Sequence, residues 1–180
     1  PFQYYKLWPF NGGVRTPMIV SWPDKIKNHG LREQFLDVID ITPTVLDFLD
    51  IFVPKEFDGV SQLPMQGASL RQVFESSEAP APRDTQFFEL WGSRSIYHKG
   101  WKAVAFHTHG TSFDDDLWEL YNQNTDFTET TNLAAHYPDK LKELQALWWE
   151  EAAKNNALPL LEAQGGRTRS YDQILPKKTP

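Results

Sequence analysis

The 180-residue chain has no cysteine. That absence excludes disulfides, thiolate zinc sites and a cysteine nucleophile, and it leaves the redox compartment open. No apolar run approaches the ~20 residues of a membrane-spanning helix, so a bilayer is not expected as a partner. Positive charge is also scarce: 18 Lys and Arg stand against 24 Asp and Glu, a formal charge of −6. Without a Lys/Arg cluster to offset this balance, nucleic acid is not expected as a partner either. Arg167, Arg169, Lys177 and Lys178 are too sparse to reverse it and read as decoration of a solvated tail. The chain starts at Pro1 with neither an initiator Met nor a leader segment, which reads as a cut in a longer protein and leaves export open.

Aromatic residues, by contrast, are plentiful at 14%, with 7 Trp. Large rings build cores, and they also stack on sugars and flat organic rings. Hydrophobic residues at 40% and charged residues at 23% are ordinary for a globular protein. The length suffices for one domain, or one domain and part of another.

Met18 to Trp22 reads as a buried strand closed by Pro23-Asp24. From Asp40 onward, Ile41, Val45, Phe48 and Leu49 share one helical face. Asp40 is placed to cap the first turn through its carboxylate, and Pro43 is tolerated in it. Residues 52–68 carry Pro54, Gly59, Pro64 and Gly67 and read as a long ordered loop. Leu70 to Phe74 suits a short helical turn. Beyond the Pro-rich stretch 76–83 the pattern becomes a meander. Strands are expected over 86–91, 94–97, 101–106 and 117–121, with turns at Gly92-Ser93 and Lys99-Gly100. Pro138 to Lys154 reads as a helix with an apolar stripe of Leu141, Leu144, Trp148 and Ala152.

These elements make an α+β chain. The expected division is 1–75, a linker at 76–83, a four-stranded antiparallel sheet with a long helix at 84–155, and an extended tail at 156–180. The helix stripe places Trp101, Trp118, Leu144 and Trp148 in one core, with Trp91 in the same layer. The first segment is expected to make few contacts with that core.

Lys6, Gly12-Gly13-Val14-Arg15-Thr16-Pro17 and the apolar Met18-Ile19-Val20 form the stretch that speaks most directly to chemistry. Four further stretches accompany it: Val38-Ile39-Asp40-Ile41-Thr42-Pro43-Thr44-Val45-Leu46-Asp47; Asp58-Gly59-Val60 through Gly67-Ala68-Ser69-Leu70; Arg94-Ser95-Ile96 with Gly100-Trp101-Lys102-Ala103-Val104; and Trp118-Glu119-Leu120-Tyr121 with Asp126, Glu129 and Asn132-Leu133-Ala134. In this order and spacing the five resemble the C-terminal portion of the sulfatase family, over roughly Tyr4 to Ala157.

The resemblance implies that residues 1–75 end an alkaline-phosphatase-like α/β catalytic domain. It implies hydrolysis of aryl or alkyl sulfate esters by the full-length protein, with calcium and a formylglycine made from Cys or Ser in a C/S-x-P-x-R motif. This chain departs from the pattern: it has no Cys, and no Ser is followed by x-Pro-x-Arg. Nucleophile and metal ligands are therefore expected in a missing N-terminal catalytic portion, the implied partner, and this chain alone is expected to be inactive and to bind no metal. Of the family's catalytic positions only Lys6 is matched, as a sulfate-binding lysine.

A fixed ammonium suits a sulfate ester, because negative charge moves to the bridging oxygen as the S–O bond breaks. Gly12-Gly13 would allow a positive-φ turn near it, and Arg15 either reaches the anion or braces the loop. Trp8, two residues beyond Lys6, is the ring placed nearest an aromatic substrate. His107 and His109, followed by Asp114-Asp115-Asp116, could hold a metal, form a polar hairpin loop, or rim the substrate pocket. A Trp-rich carbohydrate- or protein-binding module is the alternative from another class. A phosphonate or phosphodiester hydrolase of the same superfamily is a third, since Lys6 suits either anion.

Overall fold

A computed structural model describes residues 1–162. The tail expected over 156–180 lies outside the described residues beyond 162. The chain forms two units, one comprising Pro1–Pro17 with the chain from Thr85 on, the other Met18–Asp84. None of the described helices is long and apolar enough to cross a membrane.

The first unit opens with one helical turn, α1 (Asn11–Val14). The second contains a 3-10 turn at Val38–Asp40 that runs into α2 (Ile41–Phe48). A small hairpin, β1 (Glu56–Phe57) and β2 (Val60–Ser61), and a short helix, α3 (Arg71–Glu75), follow. The first unit then resumes with β3 (Thr85–Leu90), β4 (Ser93–His98), β5 (Trp101–Ala105), β6 (Trp118–Asn122) and α4 (Pro138–Lys154).

Strands β3 to β6 pair antiparallel in chain order. Two-residue turns set the register, since both hairpins need left-handed backbone at their tips. Trp91 (φ 54°) with Gly92 (φ 86°) and Lys99 (φ 47°) with Gly100 (φ 83°) supply it. The first turn is thus one residue earlier than the sequence suggested, and Trp91 sits in the turn rather than in the sheet–helix core. Pairing aligns Ile96, Ala103 and Leu120 on one face. Helix α4 covers that face with Leu144, Trp148 and Ala152, all fully buried, and Trp101 and Trp118 pack against the same cluster. Trp148 satisfies its indole N–H by donating to the Phe88 carbonyl at 3.1 Å.

The opposite face carries Lys102, Val104 and Tyr121. Trp8 and Phe10 cover it, packing with Val104, Tyr121, Tyr4 and Phe106. This corrects the expectation that the whole first segment stays clear of the meander core, as well as the division drawn at residue 75. Residues 1–10 carry five large rings, and the sheet offers them the face that α4 leaves uncovered.

In the second unit Asp37 caps the 3-10 turn, accepting from the Ile39 N–H at 3.1 Å. Asp40 does not cap its own helix. Its buried carboxylate reaches back to the Asp37 N–H at 2.8 Å, across to the Ala68 N–H at 2.9 Å, and into an ion pair with Arg83. Thr44 Oγ1 donates to the Asp40 carbonyl and accepts from the Leu70 N–H. A Cβ on Gly67 would fall 1.9 Å from the Ile39 carbonyl oxygen, so only glycine fits that crossing. Met18 to Trp22 does not form a strand. No described strand pairs with it, and Ile19 is 95% exposed. A strand is a paired structure, and apolar content alone does not supply the partner.

Candidate functional site

The stretch that carries Lys6 is built from the sheet outward. Lys6 is exposed in a turn between Tyr4 and Trp8. Two of its neighbours, Tyr4 (φ 61°) and Leu7 (φ 79°), hold the left-handed backbone that non-glycine residues adopt only under constraint. The constraint is visible. Trp8, 5% exposed, is stacked between Tyr4 at 4.3 Å and Phe106 at 4.1 Å between ring centroids. Both faces of its ring are covered, so Trp8 packs the loop instead of offering a face to an aromatic substrate.

Gly12 and Gly13 lie in α1 with ordinary helical backbone, not the left-handed turn expected from sequence. Their need for hydrogen in place of a side chain is steric. A Cβ on Gly12 would stand 2.2 Å from the Gln3 carbonyl oxygen and 2.4 Å from that of Tyr4. One on Gly13 would stand 2.0 Å from the Trp8 carbonyl oxygen and 2.8 Å from that of Tyr5. The backbone on either side of Lys6 therefore rests directly on the two glycines.

Below them lies a buried polar cluster. The Glu129 carboxylate accepts from the Asn11 backbone N–H at 2.6 Å and from Lys102 Nζ at 2.8 Å. Lys102 also donates to Asn11 Oδ1 at 2.9 Å. The Asn11 amide donates to Gln123 Oε1 and, at 3.0 Å, to the Phe127 carbonyl. Gln3 donates to the Glu129 carbonyl. Glu129 is fully buried and Lys102 is 2% exposed. Burial draws the Lys102 ammonium down to about 8, against the attraction of Glu129, and nearby Arg15 pushes the same way as burial. Arg15 lies over the Phe127 ring, 3.9 Å from its centroid.

His107 and His109 belong to a second cluster. His107 is 2% exposed, with Nδ1 3.0 Å from Asp116 and Nε2 3.4 Å from Glu162. Asp116 is also paired with the buried Arg94. His109 pairs with Glu162 and keeps 39% of its side chain exposed. Both ring nitrogens of His107 are engaged inside the protein, and His109 is the member of the pair that reaches solvent. Among the described residues, no group of three His, Cys, Asp or Glu is placed to hold a metal ion.

Sequence reasoning passed over Asn11, Lys102 and Glu129 as contributors to the site, although Lys102 and Glu129 fall in the motifs that carry the resemblance. The signal was a lysine between Trp101 and Ala103 in a strand whose neighbours all read as buried.

The fold and this arrangement define a class. The fold, with its four-stranded sheet and C-terminal helix, recurs in a solved structure. The solved structure of Ps i-CgsB matches 91% of this chain and 34% of its own, with a TM-score of 0.67 at 16% identity. The family model described as N-sulphoglucosamine sulphohydrolase, C-terminal, matches residues 2–156, and the chain belongs to that family. An uncharacterized sulfatase of Schizosaccharomyces pombe is 34% identical over 151 residues, covering 82% of this chain and 26% of the relative. An N-acetylglucosamine-6-O-sulfatase of Bacteroides thetaiotaomicron is 31% identical over 142 residues, covering 74% and 24%. The chain thus spans about a quarter of the length of these curated relatives.

Proposed function

We propose that the full-length protein hydrolyses sulfate esters of small molecules, and that this chain supplies Lys6 as a sulfate-binding cation at the edge of the active site. Family membership supports the reaction class. The observation that carries the role of Lys6 is its loop: a strained, exposed turn resting on two glycines that tolerate no side chain. In that role the ammonium would meet the anionic oxygens of the ester and stabilise charge on the bridging oxygen as the S–O bond breaks. By the family resemblance, calcium and formylglycine would supply Lewis acid and nucleophile. Both would come from the N-terminal catalytic portion that we infer as the partner of this chain. The exposure of Ile19, Leu31, Phe52 and Leu63, each at 79% or more, supports such a partner for the second unit.

The rival reading as a Trp-rich binding module finds less support, since Trp8 and Trp148 are buried and Trp101 and Trp118 pack against the core. The test is turnover of 4-nitrophenyl sulfate and N-acetylglucosamine 6-sulfate by the full-length protein. Bis(4-nitrophenyl) phosphate and phenyl phosphonate monoesters are run in parallel. Sulfate release that falls ~10²–10³-fold in Lys6→Ala supports the reading. Faster turnover of the phosphorus esters would move the protein to its phosphonate or phosphodiester rival. An unchanged rate in Lys6→Ala would remove the lysine from the chemistry.

A further inference from the structure

The geometry points to Glu129, with Lys102 and Asn11, as the positioning group for Lys6: a buried clamp that fixes where the sulfate-binding lysine stands. This deepens the proposed function and rests on it. The chain of contact is continuous and lies wholly within one unit. Glu129 holds the backbone N–H of Asn11, the first residue of α1, and Lys102 bridges that carboxylate to the Asn11 side chain. The next two residues, Gly12 and Gly13, meet the carbonyls of Gln3, Tyr4, Tyr5 and Trp8 with no room for a methyl group. Those carbonyls bracket Lys6. Gln3 closes the circuit by donating to the Glu129 carbonyl. A shift of the Glu129 carboxylate therefore moves α1, and α1 carries the Lys6 loop with it.

Two features separate this cluster from ordinary core packing. Glu129 adopts φ 59°, in the left-handed region, at a fully buried position. Strain of this kind persists only where the surroundings over-determine it, and it gathers at sites that must hold a geometry. The cluster is also ionic, a buried Lys102–Glu129 pair that holds the backbone N–H of a segment far away in sequence. An apolar replacement of a buried ion pair is often as stable or more stable, so stability is a weak reason for such a pair, whereas fixing one geometry is a sufficient one.

The experiment is a double-mutant cycle in the full-length protein, read with 4-nitrophenyl sulfate. Glu129→Gln keeps the size of the side chain and removes its charge. It should lower kcat ~10- to 10²-fold with little change in KM, because misplacing a group by about 1 Å costs that much. In a Lys6→Ala background the same substitution should change kcat less than about twofold, since the group it positions is gone. Hydrogen exchange should quicken over residues 4–15 and stay unchanged in α4. An equal loss of kcat in both backgrounds, or no loss in either, overturns the proposal while leaving Lys6 as a sulfate ligand. A Lys6→Ala enzyme with normal turnover overturns both readings. Should Glu129→Gln fail to fold, Gln123→Ala removes an outer partner of Asn11 and a 3.4 Å donor to the Glu129 carboxylate. It should show a smaller loss with the same dependence on Lys6, and independence from Lys6 overturns the proposal.

Discussion

Both faces of the four-stranded sheet bury an ion pair, but only one ties it to the backbone of the N-terminal segment. Against α4, Ile96, Ala103 and Leu120 meet Leu144, Trp148 and Ala152, and the Arg94 guanidinium, paired with Asp116, lies 5.9 Å from the Trp148 ring centroid. Against the N-terminal segment, Val104 and Tyr121 meet Trp8 and Phe10, but Lys102 and Glu129 stand among them. The aliphatic stripe under α4 needs only volume and tolerates small slips. An ionic cluster that also bonds the backbone of Asn11 admits one arrangement. The first face makes the unit stable, and the second fixes the register of a loop.

The comparison can be tested most sharply at Trp148. Trp148→Ala should destabilise the first unit by about 3–5 kcal/mol, as large buried aromatics do. Chemical denaturation measures this, and a loss under ~1 kcal/mol would mean that α4 is not the main closure. Lys102→Met should cost a similar ~3–5 kcal/mol, because it strands the Glu129 carboxylate in the interior. Replacing both partners with apolar residues should recover much of that loss, and additive losses from the two changes would contradict the ionic reading of this face.

Gly13→Ala comes next, at ~1–3 kcal/mol, since its methyl group must displace the Trp8 carbonyl. A neutral result in thermal melts would show that the loop yields freely. The pH dependence of Lys102 is subtler. Its folded value of about 8 lies below the ordinary 10.5, so between them the unfolded chain holds more protons. This group's contribution is fully present above about 10.5 and is lost as the pH falls through about 8. The stability of the parent relative to Lys102→Met should therefore rise across that window, and a flat difference would place the ammonium in water. The smallest change in stability belongs to Lys6→Ala, within about ±0.5 kcal/mol for an exposed side chain. A larger loss would make Lys6 a structural residue.

The α4 face was legible in the sequence because its signals are local and periodic. Leu141, Leu144, Trp148 and Ala152 repeat at helical spacing, Pro138 and Lys154 mark the ends, and Lys99-Gly100 declares its turn. The polar face was not legible, because its logic is long-range. Glu129 lies 118 residues from Asn11 and 27 from Lys102, and nothing in the pattern near any of them names the others. The same limit explains Gly12 and Gly13, where glycine signalled a close approach that looked from sequence like a turn. It explains Asp40 as well, whose partners at Ala68 and Arg83 outcompete a local cap. Met18 to Val20 shows the converse error, a strong local signal for a strand with no described partner to pair with.

The pins around α2 carry a consequence for how this chain can be lengthened. Asp40 binds the Ala68 N–H, Thr44 binds the Leu70 N–H, and Asp47 binds Ser69 and Arg71. Residues 51–66 leave and return to the same small area, and every one of them is exposed. Such an excursion is closed at its base, and doubling its length costs only ~0.6 kcal/mol in loop entropy. The hairpin tip at Asp58-Gly59 is thus a place where a peptide tag or a spectroscopic probe leaves the α2 contacts untouched.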